Sequence, residues 1–127
     1  MPTDKMKKTA EKLVKYCREK KTEKGLKELY DPAAISVEAT PMPGSGSAET
    51  AGLEAIKGKH AWWNSTFEVT KEVVEGPYMH GQDRFGVIFE FDATNKQSGE
   101  RMQIKELAIY TTNDKGKIVR EEFYYAI

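Results

Sequence analysis

From Thr66 to the C-terminus the chain is a succession of β-branched and aromatic runs broken at short turn signals, and that pattern leaves few folds open. Turns at Gly76-Pro77 or His80-Gly81-Gln82-Asp83, at Thr94 to Gly99 and at Asn113-Asp114-Lys115-Gly116 cut it into strands centred near Val69, Val87, Ala108 and Phe123. Connections this short join antiparallel neighbours, so the second half predicts a meander. The first half has a different period. Met6, Ala10, Leu13, Val14 and Cys17 recur at helical spacing behind a cap at Thr3 or Asp4, predicting a helix that ends near Lys21. Thr22 caps a short second helix carrying Leu26, Leu29 and Tyr30, stopped by Asp31-Pro32. A strand over Ile35 to Thr40 follows. The stretch from Pro41 to Thr50 holds too many breakers for regular structure and reads as a surface loop or pocket lid. Thr50 then caps a third helix whose stripe is Leu53, Ile56, His60 and Trp63.

Helices first and a strand meander afterwards predict a segregated α+β domain, with a curved antiparallel sheet covered on one face by helices. The 127 residues suffice for a single core, so the whole span 1–127 is expected to be one domain. Alternation along the strands then sorts side chains by face. Phe85, Val87, Phe89 and Phe91 form an apolar face, and Met102, Ile104, Glu106, Ala108 and Tyr110 share another. Glu106 is the anomaly. A carboxylate on such a face is costly unless it is protonated, paired or lining a wet cavity. It is therefore expected to be a pocket acid with a raised pKa, or else a structural carboxylate paired with Lys105, Arg101 or the last strand, or turned to a dimer interface. Leu107 and Ile109 make the back of the same strand partly apolar, so a second subunit or the chain's own helices and loops are expected to cover it.

Charge and cysteine content exclude several classes. Charged residues make up 31% of the chain and cancel to a net charge of zero, which removes the basic field that nucleic-acid binding needs. The N-terminal Met1-Pro2-Thr3-Asp4-Lys5-Met6-Lys7-Lys8 is polar and no long apolar run follows, so neither secretion nor membrane insertion is expected. A lone cysteine, Cys17, fits a reducing compartment, and a cytoplasmic location is expected. The two histidines lie far apart with no ligand spacing, so no metal site is expected, and no phosphate-cradling glycine motif or nucleophile elbow is present.

Several strings in order carry a resemblance: Gly25-Leu26-Lys27-Glu28-Leu29-Tyr30 leading into Ser36-Val37-Glu38-Ala39, the helix Gly52-Leu53-Glu54-Ala55-Ile56, and Glu106-Leu107-Ala108-Ile109-Tyr110 followed by Gly116 to Phe123. Together they resemble the SnoaL-like group of the nuclear transport factor 2-like superfamily. The resemblance implies a cone in which a bent sheet wraps around the helices and leaves a deep pocket, and it implies dimerisation through the sheet. Relatives include ketosteroid isomerases, polyketide cyclases, epoxide hydrolases and dehydratases beside non-catalytic binders, so the fold assigns no reaction. The oxyanion-facing acid of the ketosteroid isomerases carries over onto Glu106, with a hairpin two residues longer here. Their general base falls on Ala39, which takes no proton, and Glu38, one residue away, is expected on the opposite face unless a bulge intervenes. Their donor tyrosine falls on the first helix, where Tyr16 is the available tyrosine.

The expected site thus has Glu106 and Glu122 as acid/base candidates, Glu121 and Glu122 competing for the inward position. Tyr16, Tyr30, His60, Trp63, Phe85, Phe89 and Tyr110 are the expected ligand-binding residues. The expected function is a small-molecule pocket for a largely apolar organic compound. It either catalyses a cofactor-free isomerisation, cyclisation, hydration or dehydration, or serves as a non-catalytic binding or dimerisation domain.

Overall fold

The computed structural model describes residues 3–41 and 46–126. Helix α1 (Asp4–Arg18) opens on Thr3, whose hydroxyl accepts a hydrogen bond from the Met6 amide at 3.1 Å. It buries Met6, Ala10, Leu13, Val14 and Cys17, the stripe expected from spacing, and presents its lysines to solvent. Helix α2 (Thr22–Leu29) is shorter than expected by one residue, because Tyr30 already begins strand β1 (Tyr30–Val37). A short strand β2 (Glu49–Ala51) lies at the end of the segment expected to be a loop, and part of that segment falls outside the described residues. Because Thr50 is taken up in β2, helix α3 (Leu53–Thr66) starts after Gly52 instead. Gly52 has φ +94, a conformation that costs glycine least, and its amide binds Ala34 O at 2.8 Å.

The strands β3 (Phe67–His80), β4 (Arg84–Asn95), β5 (Arg101–Thr112) and β6 (Ile118–Tyr124) follow as the meander anticipated. The turn between β3 and β4 falls at Gly81 to Asp83, whereas Gly76-Pro77 lies inside β3 where the register shifts. All strands form one mixed sheet in the order β2-β1-β6-β5-β4-β3, antiparallel except where β1 runs parallel to β6. This is the α+β cone: a curved sheet wraps around the helices, and its concave face carries the core.

Ties between layers are specific. Arg18 donates from Nε and Nη2 to the Val74 carbonyl at 3.2 and 2.9 Å, and the Thr9 hydroxyl donates to Gly116 O at 2.6 Å. Helix α3 is different from α1: Ile56 is its one fully buried side chain among the described residues. Much of its inner face borders a cavity, through Lys59, His60 and Trp63. Among the described residues no helix is long and apolar enough to cross a membrane.

Candidate functional site

Cross-strand register fixes what the concave face presents. Phe85 stands opposite Tyr110, Val87 opposite Ala108, Phe89 opposite Glu106 and Phe91 opposite Ile104. On the next pair, Tyr110 stands opposite Glu121 and Ala108 opposite Phe123. Glu106 and Glu121 therefore look to the same side as the phenylalanines of β4. Between this surface and the helices lies a cavity of about 710 Å³, within the range of roughly 300–1,000 Å³ usual for drug-sized ligands. Helix α1 contributes Leu13, Tyr16 and Cys17 to its wall, and α3 contributes Lys59, His60 and Trp63. Trp63 packs on Phe67 at 4.4 Å between ring centres and meets Phe91 edge-on at 5.8 Å, so this part of the wall is a rigid aromatic corner.

Glu106 is half-buried on this wall, and no described residue hydrogen-bonds or ion-pairs with it. Burial, reinforced by the negative charges of Glu38, Glu121 and Glu72 and opposed by Lys59, pushes its carboxyl from the ordinary 4.5 up to about 7. Such a group holds or releases a proton close to neutrality.

A second set of polar side chains forms a connected chain beside it. The Tyr125 hydroxyl donates to Glu38 Oε1 at 2.9 Å, and Lys59 Nζ donates to Glu38 Oε2 at 2.7 Å. Lys59 also donates to the Ser36 hydroxyl, which donates onward to Glu121 Oε2 at 2.6 Å, while Tyr30 donates to Glu121 Oε1. Every member has a partner, as buried polar groups require. Glu38 reaches the cavity because Ala34, Ser36 and Glu38 alternate inward along β1 and its continuation, with Ala34 and Ser36 fully buried. The expectation that Glu38 faces away is thus overturned, and Ala39 takes the exposed position. Tyr125 is raised to about 12 by burial and by Glu38. Burial lowers the pKa of His60, which keeps its imidazole neutral at pH 7.

Of the residues singled out from the sequence, Glu106, Tyr16, Tyr30, His60, Trp63, Phe89 and Tyr110 all border the cavity. The Tyr16 hydroxyl is directed elsewhere, donating to Glu28 Oε2 at 2.6 Å. Phe85 is not on the wall: it is fully buried and stacked on Tyr110 at 5.0 Å, supporting that ring from behind. Glu122 is a correction. It lies on the convex face opposite Ile109, with Arg120 Nε 3.5 Å from its Oε1, and Glu121 takes the inward place. The reason is parity, since Glu121 alternates with Phe123 and Tyr125, and these three border the cavity. Burial pushes the Cys17 thiol up to about 12, which leaves it an inert hydrophobe at neutral pH. Reading the strings alone overlooks Lys59 and Ser36. Lys59 lies three residues after Ile56 and four before Trp63, on the stripe of α3, where a lysine by itself reads as solvent-facing charge. Among the described residues, no cluster of His, Cys, Asp and Glu is arranged to hold a metal ion.

Comparison with known proteins places this geometry in context. The SnoaL-like domain family matches residues 5–125. A candidate SnoaL-like polyketide cyclase from Mesorhizobium loti, also labelled a carbohydrate phosphatase, is 34% identical, with a TM-score of 0.84 over 93% of this chain and 97% of that one. A candidate isomerase from Bacillus subtilis is 20% identical, with a TM-score of 0.74 over 97% of this chain and 87% of its own. A Mycobacterium tuberculosis protein in complex with estradiol-17β-hemisuccinate is 12% identical, with a TM-score of 0.76 over 98% and 96%. The last two likenesses bear on the fold alone. No curated protein matches the chain.

Proposed function

Because the chain belongs to the SnoaL-like domain family, we propose that its cavity binds a small, largely apolar organic molecule and that Glu106 serves there as the acid/base group. The supporting observation is the Glu106 carboxyl itself: it borders the cavity, has no described partner, and has a pKa raised to about 7 by burial. An unengaged carboxyl poised near neutrality can take a proton from carbon and return it elsewhere, which suits isomerisation, cyclisation, hydration or dehydration without a cofactor. Tyr30, Tyr110, His60 and Trp63 would shape and orient the bound molecule. That a protein of the same fold is found with a steroid ester supports a ligand of this size class.

A non-catalytic reading has its own support. Glu38, the carboxylate that faces the cavity from the end of the first strand, is already engaged by Lys59 and Tyr125. One experiment separates the two. A thermal-shift screen of steroid-like and polyketide-like compounds identifies ligands by the rise in melting temperature they cause, and each hit is tested for turnover with wild type and Glu106→Gln. The catalytic reading expects turnover that the variant loses by about 100-fold or more. Binding without turnover selects the non-catalytic reading, and a variant that binds and turns over like wild type sinks the role of Glu106 in both.

We also propose a single-domain protein of the cytosol, which suits the unpaired Cys17 thiol, and a homodimer through the convex face of the sheet. That face exposes Val73, Tyr78, Leu107 and Tyr124. Leu107→Lys should convert a dimer to monomer in sedimentation equilibrium, and a wild type that is monomeric at all concentrations rejects the interface.

A further inference from the structure

Charges on the cavity wall do not balance. Carboxylates arrive from separate strands, namely Glu38 just past β1, Glu72 on β3, Glu106 on β5 and Glu121 on β6, against the ammonium groups of Lys20 and Lys59. Lys59 is bound to Glu38 at 2.7 Å, and Lys20 acts on Glu72. No cation among the described residues ion-pairs with Glu106 or Glu121. Glu121 is satisfied by the neutral hydroxyls of Tyr30 and Ser36, and Glu106 by nothing described. Burial disfavours the charged form of His60, against the pull of Glu121 and Glu38. Around these groups the wall is apolar and aromatic, with Leu26, Ile104, Trp63, Phe89 and Phe123. Negative charge enclosed by such walls projects a stronger field than it would in water, and ring faces add attraction for a cation.

We propose that the molecule this cavity takes carries a basic nitrogen, protonated at neutral pH, on an apolar body, and that its ammonium group pairs with Glu106. The inference rests on the small-molecule reading given above and narrows the class of ligand. An apolar acid of the same size suits the walls but brings another anion against Glu106 and Glu121. A neutral alcohol meets no repulsion and gains no ion pair. Pairing with a cation also keeps Glu106 ionised, so it enters a reaction on such a ligand as the base.

Adamantylamine, adamantanol and adamantane carboxylate share one apolar cage and differ in charge, and isothermal titration of each into the wild-type protein at neutral pH tests the proposal. The amine should bind roughly tenfold or more tightly than the alcohol, with the carboxylate weakest. In Glu106→Gln the amine should lose its preference over the alcohol. If the alcohol or carboxylate binds wild type as tightly as the amine, the ligand class is overturned and the cavity reading stands. An amine preference that persists in Glu106→Gln overturns Glu106 as the partner. If none of the compounds binds, the small-molecule reading itself fails and the proposal falls with it.

Discussion

Glu106 and Glu38 share one cavity, yet their surroundings give them different characters. Glu38 has a lysine at 2.7 Å and a tyrosine hydroxyl at 2.9 Å, whereas Glu106 borders the cavity from a strand face otherwise made of Met102, Ile104, Ala108 and Tyr110. The consequence for stability has a definite sign. The folded-state pKa of Glu106 is raised to about 7 from 4.5, so the native state holds a proton that the unfolded chain releases. Its contribution is fully present below the unfolded value and is lost as pH rises from 4.5 through 7. Glu106→Gln removes that dependence. Urea unfolding should find the variant more stable than wild type above pH 8 by about 2–3 kcal/mol, an advantage that disappears below about pH 5. Stability curves that run parallel from acid to alkali would show that the carboxyl is not perturbed. The anomaly of Glu106 was visible from the sequence, because it needs only a strand period and a buried face. Lys59 was not, since a lysine on a helix stripe looks like solvent-facing charge until Ser36 and Glu38 are brought beneath it by β1.

At the level of the strand, a single step of register decides which of two adjacent glutamates belongs to the interior. Residue types alone leave Glu121 and Glu122 equivalent, and both alternations contain aromatic side chains. Pairing resolves them: Glu121 falls opposite Tyr110 and Ser36, while Glu122 falls opposite Ile109 and Val37. The two positions should therefore respond very differently to substitution. Glu121→Leu leaves the Tyr30 and Ser36 hydroxyls without their acceptor and should cost about 3 kcal/mol in chemical denaturation. Glu122→Gln removes one half-exposed ion pair and should stay within about 0.5 kcal/mol. Equal losses at both sites would mean that the register of β6 is misassigned. The same logic explains why the expected direction of Glu38 was reversed. An inherited alignment position says where a base sits in relatives, but the inward row Ala34, Ser36, Glu38 is set by this chain's own pairing with β6, including the shift of register between Tyr30 and Ile35.

Across the whole molecule, the class of fold and most of its elements followed from period and turn chemistry, because helices α1 and α3 and strands β3 to β6 are long enough to express both. What stayed hidden was β2, which spans only Glu49–Ala51 and gains its identity from β1 alone. The parallel pairing of β1 with β6 was hidden too, because it joins segments more than eighty residues apart and leaves no local signal. That pairing governs the order in which the molecule can be assembled. Strand β6 follows the other described strands in chain order, and in the sheet it lies between β1 and β5. Until it arrives, the first strand pair has no strand pairing with the meander, and the polar chain from Tyr30 to Tyr125 lacks Glu121. Nascent chains should therefore stay open until β6 has been synthesised, with long-range closure as the slow step. A chain ending at Lys117 should retain helical circular dichroism but lose cooperative unfolding, and a sharp melting transition in that fragment would refute the dependence. Strand β6 is a keystone, and a chain cut or stalled before it is not a damaged pocket but one that has never had a pocket.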